Sequence, residues 1–397
     1  MSWDCDPQRD YGIYVHVPFC RRRCPYCDFS IVVRKTPPVD AYVDAVWRDF
    51  DARSAAYHGL RLRSVYFGGG TPSLLPNEAL DRLLRHFRSS SDAPEELCLE
   101  ANPEDLDPQR LSELRALGFN RLSVGVQSFD DEVLQRLGRA HDGAQAMRVL
   151  EASLQAGFDS VNVDLIHGLA TQTQPSFISD HTLALRSGVP HISSYALTIE
   201  PGSRFGHQLK RGLRFTLDEE QMAECYEQVE AILEPSLEHY EVSNYARVGH
   251  HGRHNLLYWL GAQYLGLGPS AHSLWRDEQG YAVRRANQIH WTRYLEQPQR
   301  PAEAERLSPL LHAAERIFMQ LRTRLPLFPD AWPQSWQARF APSLQTLLAE
   351  RLLEPGSDRS LRSTRRGLMM HDHMARRILE AVDDEAERLD PETFTPG

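Results

Sequence analysis

The stretch Tyr11-Gly-Ile-Tyr-Val-His-Val-Pro-Phe-Cys20-Arg-Arg-Arg-Cys24-Pro-Tyr-Cys27-Asp-Phe29 joins a predicted buried strand to three closely spaced cysteines. The run up to Val17 is β-branched and aromatic, which is typical of a buried strand, and Pro18 ends it. The cysteines that follow have the spacing C-x3-C-x2-C. Three clustered thiols directly after a strand indicate a metal or cluster site.

The spacing of Cys20, Cys24 and Cys27 favours an iron–sulfur cluster over a zinc ion. A zinc site usually takes four protein ligands, and no fourth cysteine or histidine follows Cys27 closely. Three thiolates on a four-iron cluster leave one iron open, and an open iron can bind a small molecule. The alternative is a protein that is stabilised by a structural zinc ion and has no redox role. Iron and sulfide analysis of anaerobically purified protein would separate the two.

Composition and charge are those of an ordinary soluble globular protein. The 397 residues are 41% hydrophobic and 25% charged. The formal net charge of −10 argues against nonspecific nucleic-acid binding. No apolar run approaches the roughly 20 residues that span a bilayer, and we expect no signal peptide. The other cysteines, Cys5, Cys98 and Cys225, are scattered, which fits a reducing cytoplasm better than a disulfide framework. We therefore expect a cytoplasmic protein.

From residue 11 to about residue 245, predicted strands alternate with predicted helices. The predicted strands cover 12–17, 64–67, 96–100, 121–126, 160–166, 191–197 and 240–242. The predicted helices cover 39–57, 77–88, 107–117, 131–137, 142–156, 175–185 and 217–237. This alternation predicts an α/β fold with a parallel sheet, as a complete or partial barrel whose chemistry lies at the C-terminal ends of the strands. An open doubly wound sheet is the alternative.

The last third of the chain differs from the rest in composition and in hydrophobic periodicity. Residues 246–275 are rich in histidine, glycine and aromatic residues, and 296–301 are typical of a linker. Beyond it we predict helices over 302–321, 344–353 and 370–388 and a short ribbon over 354–364, which together suggest a small, mostly helical, winged-helix-like module. The acidic composition favours packing or partner binding over DNA binding. The predicted domains are a barrel over 8–245, a His/aromatic segment packed on it over 246–300, and the C-terminal module over 301–397.

Polar residues follow several predicted strands at points that a barrel would bring together. The glycines of Gly68-Gly-Gly-Thr-Pro72 would let backbone N–H groups approach a ligand closely. Glu100, Gln127 and Asp164 each lie at the end of a later strand, and Arg139 lies in a helix-capping stretch. Taken alone, each of these residues is most simply explained as a solvated strand end or a helix cap. Together they would suit a ligand with an ammonium, a carboxylate, ribose hydroxyls and an adenine.

These motifs resemble those of the radical S-adenosylmethionine superfamily. Four of them more narrowly resemble the coproporphyrinogen-dehydrogenase group, namely Tyr14-Val-His-Val-Pro-Phe-Cys, Phe67-Gly-Gly-Gly-Thr-Pro, Gly125-Val-Gln-Ser-Phe and Asp164-Leu-Ile-His-Gly-Leu. The resemblance implies a partial (β/α)6 radical SAM barrel with a [4Fe–4S] cluster on Cys20, Cys24 and Cys27, whose open iron binds S-adenosylmethionine. The residues that it implies as S-adenosylmethionine contacts are Tyr14, Gly69, Gly70, Thr71, Glu100, Gln127, Arg139 and Asp164.

Within that group the sequence is more similar to the HemW-type heme chaperones than to the oxygen-independent coproporphyrinogen III oxidases. The oxidases carry a fourth cysteine two residues after the third and an N-terminal extension. Here Phe29 takes that position, and ten residues precede Tyr11, where the stretch that contains the first predicted strand begins. The segment His254-Asn-Leu-Leu-Tyr-Trp259 contains the H-N-x-x-Y-W pattern of the HemW type. A neutral imidazole is a usual heme-iron ligand, so the resemblance implies heme binding at His254, with His250 and His251 as further candidate ligands.

The function implied by the resemblance is a heme chaperone that binds heme, the cluster and S-adenosylmethionine. It would deliver heme to acceptor proteins, with membrane-associated respiratory proteins as one class of acceptor. The alternative is an oxidase that decarboxylates coproporphyrinogen III with a 5′-deoxyadenosyl radical. We assign no catalytic residue and expect no nucleic-acid partner. Productive cleavage of S-adenosylmethionine, covalent attachment of heme and a homodimer all stay open.

Overall fold

The computed structural model of the chain describes residues 5–88, 93–382 and 388–389. The strands are β1 (Asp10–Val17), β2 (Phe19–Cys20), β3 (Val32–Val33), β4 (Arg61–Gly69), β5 (Glu96–Ala101), β6 (Arg121–Gln127), β7 (Ser160–His167), β8 (His191–Ala196), β9 (Glu238–Glu241), β10 (Asn244–Ala246), β11 (Gln263–Leu267), β12 (His272–Arg276), β13 (Ala282–Asn287), β14 (Pro301–Leu307), β15 (Leu353–Pro355), β16 (Leu361–Ser363) and β17 (Arg388–Leu389).

The helices alternate with the strands through most of the chain. They are α1 (Val39–Arg53), α2 (Asn77–Arg88), α3 (Pro108–Ala116), α4 (Asp131–Arg136), α5 (Gly143–Gln155), α6 (Gln174–Arg186), α7 (Arg204–Leu209), α8 (Glu219–Leu233), α9 (Arg253–Trp259), α10 (Trp291–Glu296), α11 (Pro309–Leu321), α12 (Gln334–Ala349), α13 (Arg365–Met369) and α14 (His371–Leu379). Among the described residues, no helix combines the length and the apolar character needed to cross a membrane.

Thirteen of the strands form one sheet, with the order β17-β14-β13-β12-β11-β1-β4-β5-β6-β7-β8-β10-β9. From β1 to β8 the six long strands are parallel and lie side by side in chain order. A doubly wound sheet would reverse its strand order at a switch point, and these six strands have no such reversal. The predicted parallel α/β architecture, a partial (β/α)6 barrel, is therefore confirmed.

Nearly all residues of the parallel strands are buried, and in β6, β7 and β8 apolar residues alternate with polar ones. In β1 seven of the eight residues are buried, as expected for a parallel strand covered by crossover helices. The helices that follow the strands begin at side-chain caps, where Asp107, Asp142 and Thr173 accept hydrogen bonds from the first turns of α3, α5 and α6. Each of the seven predicted strands overlaps an observed strand, and the last of them, β9, is an antiparallel edge strand.

The three predicted C-terminal helices need correction. Residues 301–307 form β14, which pairs with β13, and the helix begins only at Pro309 after the Ser308 cap. The predicted helix over 344–353 is the second half of α12, and its last residue already belongs to β15. The predicted helix over 370–388 is shorter, since α14 ends at Leu379 and Arg388 lies in β17; residues 383–387 lie outside the described part of the chain. The predicted ribbon is confirmed as the antiparallel pair β15 and β16.

The strands after residue 246 extend the sheet beyond β1, whereas β10 and β9 extend it beyond β8. Strand β11 pairs in parallel with β1, and β12 to β14 continue from it as antiparallel neighbours. One large hydrophobic core lies between the parallel strands and their helices, and a second one lies among β12, β14, α11, α12 and α14. The predicted boundary after residue 245 falls inside β10. The division into three domains stays a prediction.

Candidate functional site

A cavity of about 440 Å³ lies at the C-terminal ends of the parallel strands and runs down between them. Its upper wall is formed by the loop after β1 and by the ends of β4 to β8, and its floor reaches the residues at the start of α9. The sequence-predicted site residues that line it are Cys20, Cys24, Cys27, Gly69, Gly70, Thr71, Glu100, Gln127, Arg139, Asp164 and His254. Tyr14 lies behind the wall, with its ring stacked on that of Tyr66.

The cysteine loop is held against the barrel by a short parallel pair. Strand β2 pairs with β3, and the Val32 N–H donates to the carbonyl of Pro18 at 2.7 Å. Cys20 ends β2, Cys24 and Cys27 lie between β2 and β3, and all three are free and partly exposed. Thr71 Oγ1 donates to Cys20 Sγ at 3.4 Å, which ties the loop to the turn after β4.

Burial disfavours the thiolate forms of Cys20 and Cys27 in the metal-free chain. Burial raises the pKa of Cys20 to about 11, an effect that the Thr71 hydroxyl partly offsets. Burial also raises the pKa of Cys27. Because thiolates and not thiols bind metals, loading of this loop would release protons.

The thiols are too far apart for a single zinc ion. With Zn–S bonds of about 2.3 Å, one zinc ion holds its thiolates within about 4.6 Å of one another. In the described part of the chain, the sulfur atoms of Cys20, Cys24 and Cys27 do not all lie within 4.8 Å of one another. In a [4Fe–4S] cluster each thiolate binds its own iron, so wider spacing is expected. The donor set fits a cluster better than the zinc alternative.

Two carboxylates face the interior of the cavity. Glu100 accepts hydrogen bonds from the Tyr66 hydroxyl at 2.8 Å and from the Gly69 N–H at 3.0 Å. Burial raises the pKa of Glu100 to about 7; the Tyr66 bond opposes this rise and the nearby Asp164 adds to it. Burial also raises the pKa of Asp164, although Ser123 and Asn162 both donate to it. The cavity thus has acceptors whose ionisation a cationic ligand would favour.

The turn after β4 requires glycine. Gly69 has φ +103°, and a Cβ at this position would lie 2.4 Å from Nδ1 of His16. That imidazole cannot move freely, because its nitrogens contact the Tyr14 hydroxyl at 3.2 Å and the Ser30 carbonyl at 2.9 Å. Tyr14 therefore supports the Gly69 turn from behind, although it does not line the cavity.

The end of β6 carries a backbone irregularity. Gln127 has φ +71°, in the left-handed region that non-glycine residues rarely adopt, and the register between β6 and β7 shifts at this point. A Cβ at Gly125 would lie 3.0 Å from Gln127 Nε2, so glycine leaves room for this amide. Such strained residues cluster at functional sites and cost about 1–3 kcal/mol each.

Arg139 connects the cysteine loop to the ends of β5 and β6. Its guanidinium donates to the Gly125 carbonyl at 2.7 Å, contacts the side-chain oxygen of Asn102, and lies 3.7 Å from Cys24 Sγ. Asn102 in turn donates to Thr71 Oγ1 at 3.2 Å. Arg139 Nε is buried and has no hydrogen-bond partner in the described part of the protein. An unpaired donor beside the cysteines fits an anionic or hydroxyl-bearing ligand.

His254 lies at the floor of the cavity with both ring nitrogens engaged. Its Nδ1 is 2.7 Å from Ser64 Oγ, and its Nε2 is 2.7 Å from the Tyr258 hydroxyl. The ring is stacked on Tyr66, and the backbone N–H donates to Glu96 at 2.9 Å. Burial lowers the pKa of His254 to about 3, so the imidazole is neutral. Iron ligation by Nε2 would require the Tyr258 hydroxyl to turn away, and the heme assignment stays a prediction.

The two other candidate heme ligands lie outside the cavity lining. His251 Nε2 is 2.8 Å from a carboxylate oxygen of Glu238, and its ring meets Tyr240 edge-on. The backbone carbonyl of His250 accepts from Arg121 at 2.9 Å. The structure therefore does not bring His250 or His251 together with His254 at one cavity wall.

Sequence reasoning missed several residues that shape the cavity. Tyr66, Asn102 and Asn162 each hydrogen-bond a predicted site residue and line the cavity. Asn102 and Asn162 lie two residues from Glu100 and Asp164, so the same strand-end signal could have found them. No local signal points to Tyr66, because its partner Glu100 comes from the neighbouring strand.

The chain is similar to known proteins over most of its length. Residues 14–181 match the model of the Radical SAM superfamily. The chain is 31% identical to the heme chaperone HemW of Lactococcus lactis over 92% of this chain and 94% of that protein. It is 34% identical to HemW of Mycobacterium tuberculosis over 94% and 96% of the two chains.

A solved structure shares the fold. The coproporphyrinogen III oxidase HemN of Escherichia coli, a radical SAM enzyme, superposes with a TM-score of 0.79 at 24% sequence identity, over 94% of this chain and 91% of the oxidase. At this identity the likeness describes the fold alone.

Proposed function

Because this chain belongs to the radical SAM superfamily and, within it, to the HemW family of heme chaperones, we propose that it binds heme and passes it to acceptor proteins. The observation that carries the proposal is the similarity to HemW proteins over nearly the full length of both chains. The residue after Asp28 supports it, since Phe29 stands where the related oxidases have a fourth cysteine.

Cys20, Cys24 and Cys27 would hold a [4Fe–4S] cluster in this proposal. The support is chemical: three free thiols line one cavity, and their spacing exceeds that of a single-zinc site. When bound, such a cluster supplies an electron at an iron that no protein residue ligates. Thr71 and Arg139 would orient the loop, because both contact its sulfur atoms.

The strand-end residues would hold S-adenosylmethionine beside the cluster. Glu100 and Asp164 would accept from its amino and hydroxyl groups, and the unpaired Nε of Arg139 would donate to an oxygen of the ligand. Gly69, Gly70, Thr71 and Gln127 would contribute backbone and side-chain contacts at the same wall. Tyr14 would act indirectly, by supporting the Gly69 turn through His16.

The mouth of the cavity offers apolar surface for a flat ligand. Phe29 is 61% exposed and Tyr195 is 39% exposed, and both line the cavity. Exposed aromatic rings at a cavity mouth are suited to a macrocycle or to an acceptor surface. We propose that heme first contacts this mouth, with His254 below it as the candidate iron ligand.

The test is a hemin titration of the full chain, followed at the Soret band, with and without a reconstituted cluster. We expect saturable hemin binding by the wild type and transfer of the bound heme to an apo-acceptor protein. A chain with serine at Cys20, Cys24 and Cys27 separates heme binding from cluster binding. Absence of hemin binding in both the loaded and the cluster-free chain would overturn the proposal.

An assay of coproporphyrinogen III oxidation tests the alternative function. Coproporphyrinogen III, S-adenosylmethionine and dithionite are incubated anaerobically with the cluster-loaded chain. We expect no decarboxylated product. Formation of that product would replace the chaperone assignment by the oxidase alternative.

A further inference from the structure

A second group of ligand-type side chains lies outside the cavity, where α8 ends and β9 begins. Glu230 lies in the last turn of α8, and Glu234 is the residue directly after this helix. His239 lies on β9. Each residue offers one ligand atom, and these atoms all lie within 4.8 Å of one another. Glu230 and His239 are buried, whereas Glu234 is exposed, so the group is accessible from one side.

Two of these atoms are buried hydrogen-bond acceptors that face each other. His239 Nε2 lies 3.3 Å from the Val242 carbonyl, which can only accept, so Nε2 carries the hydrogen and Nδ1 has a lone pair. That Nδ1 is 3.8 Å from Glu230 Oε1. Both atoms are buried and neither has a hydrogen-bond partner in the described part of the chain. Buried acceptors without a donor are costly, so a proton or a cation between these two atoms would stabilise the folded chain.

The contacts of the two carboxylates with neighbouring arginines suit a bound cation. Arg365 contacts Glu230 Oε2, which leaves Oε1 facing His239 Nδ1, and Arg324 lies 3.4 Å from Glu234 Oε1. Carboxylates that bind metals are typically oriented by such outer hydrogen bonds, which leave one oxygen for the ion.

We propose that Glu230, Glu234 and His239 form a binding site for one divalent first-row transition-metal ion, separate from the cysteine loop. One imidazole nitrogen and two carboxylate oxygens are ligands that such ions accept at about 2.0–2.2 Å, with water completing the coordination. The ion would join the end of α8 to the edge strand β9. Through Arg365, which begins α13, it would also fix the C-terminal helices against the barrel.

Titration of the full chain with Mn²⁺, followed by the EPR signal of the free ion, tests the proposal. Mn²⁺ prefers oxygen and nitrogen ligands to thiolates, so the cysteine loop does not compete. His239→Phe keeps the ring stacked on Tyr245 at 4.2 Å but removes the ligand atom. Glu234→Gln changes an exposed side chain, which avoids a buried defect. Glu227→Gln makes the same charge change at an exposed position of α8 and serves as the control.

We expect the wild type and Glu227→Gln to bind one Mn²⁺ that His239→Phe does not bind. We also expect Glu234→Gln to bind this ion at least about tenfold more weakly. Mn²⁺ should raise the melting temperature of the wild type but not that of His239→Phe. Equal Mn²⁺ uptake by the wild type and both ligand variants would overturn the proposal, as would a melting temperature of the wild type that Mn²⁺ leaves unchanged.

Discussion

Glu100 gives the stability of the metal-free chain a specific pH dependence. Burial raises its pKa from the ordinary value of 4.5 to about 7. Between these values the unfolded chain has lost the proton that the folded chain still holds, so unfolding releases a proton and rising pH favours unfolding. Relative to Glu100→Gln, we expect the free energy of unfolding of the wild type to fall as pH rises from about 4.5 to about 7 and to stay level above.

Urea unfolding at a series of pH values across this window measures the effect. The exposed Glu151 on α5 offers a matched control, since Glu151→Gln makes the same chemical change away from the cavity. The prediction concerns the difference between two chains, and because Asp164 helps to raise the pKa of Glu100, their interaction belongs to that difference. Parallel pH profiles of the wild type and Glu100→Gln would contradict it.

His254 is the residue whose role the heme proposal most needs. If its Nε2 binds iron, His254→Ala should weaken hemin binding at least about tenfold in a Soret titration. Because the ring is buried between Tyr66 and Tyr258, His254→Gln is the better-packed second variant. The exposed His58 provides a control at which alanine should change nothing. Unchanged hemin affinity in both variants would assign His254 to the support of the cavity floor.

At the scale of single elements, the turn after β4 leaves no room for a side chain at Gly69. Gly69→Ala would place a methyl group against the His16 ring in a backbone conformation that alanine avoids. We expect a loss of at least about 2 kcal/mol in the free energy of unfolding, together with weaker S-adenosylmethionine binding.

Gly59 is the matched control for that prediction. It also has a positive φ, +82°, but a Cβ there would meet no atom within 4 Å. Gly59→Ala should therefore cost only the backbone strain, about 1–2 kcal/mol, and should leave ligand binding intact. Urea unfolding and equilibrium dialysis with S-adenosylmethionine compare the two. Equal effects of both substitutions on ligand binding would contradict the role of the Gly69 turn.

The sequence predicts elements well where local pattern and tertiary environment agree. The parallel strands are short runs that contain Val, Ile or Leu, and several of their helices begin at side-chain caps, so both can be predicted from local sequence. The sequence predicts a helix where β14 lies, because the Ala, Glu, Arg and Leu residues of Pro301–Leu307 favour helices. Its strand conformation depends on pairing with β13, across which Arg284 binds Glu305. Such pairing is tertiary information.

The candidate site also combines features that can be predicted from the sequence with features that depend on tertiary contacts. Residues at the ends of parallel strands can be placed together from the topology alone, and the structure gathers Glu100, Gln127 and Asp164 in one cavity. The position of Tyr14 behind the wall could not be predicted, because it depends on the His16 ring that separates it from Gly69. Nor could sequence reveal that hydroxyl groups engage both nitrogens of His254.

At the scale of the whole molecule, one buried charge network joins the barrel to the strands that extend its sheet. Asp49 on α1 is fully buried and pairs with Arg53 one turn later. The same carboxylate accepts from the Tyr294 hydroxyl at 2.9 Å and from the Asn287 amide at 3.1 Å. Arg53 also donates to the Gly266 carbonyl on β11. Residues from 266 to 294 are thus fastened to the first helix of the barrel.

Asp49→Asn should therefore destabilise the chain as a whole. The neutral amide would leave the Arg53 guanidinium, only 9% exposed, without its counter-charge, and breaking a buried ion pair in this way typically costs about 3–5 kcal/mol. Asp44→Asn on the same helix removes an exposed pair with Arg82 and should cost at most about 1 kcal/mol.

Urea unfolding followed by both tryptophan fluorescence and far-UV circular dichroism measures the two variants. Because the network spans the barrel and its extension, we expect one cooperative transition that shifts as a unit in Asp49→Asn. Separate transitions, with only one of them shifted, would mean that the extended strands fold independently of the barrel.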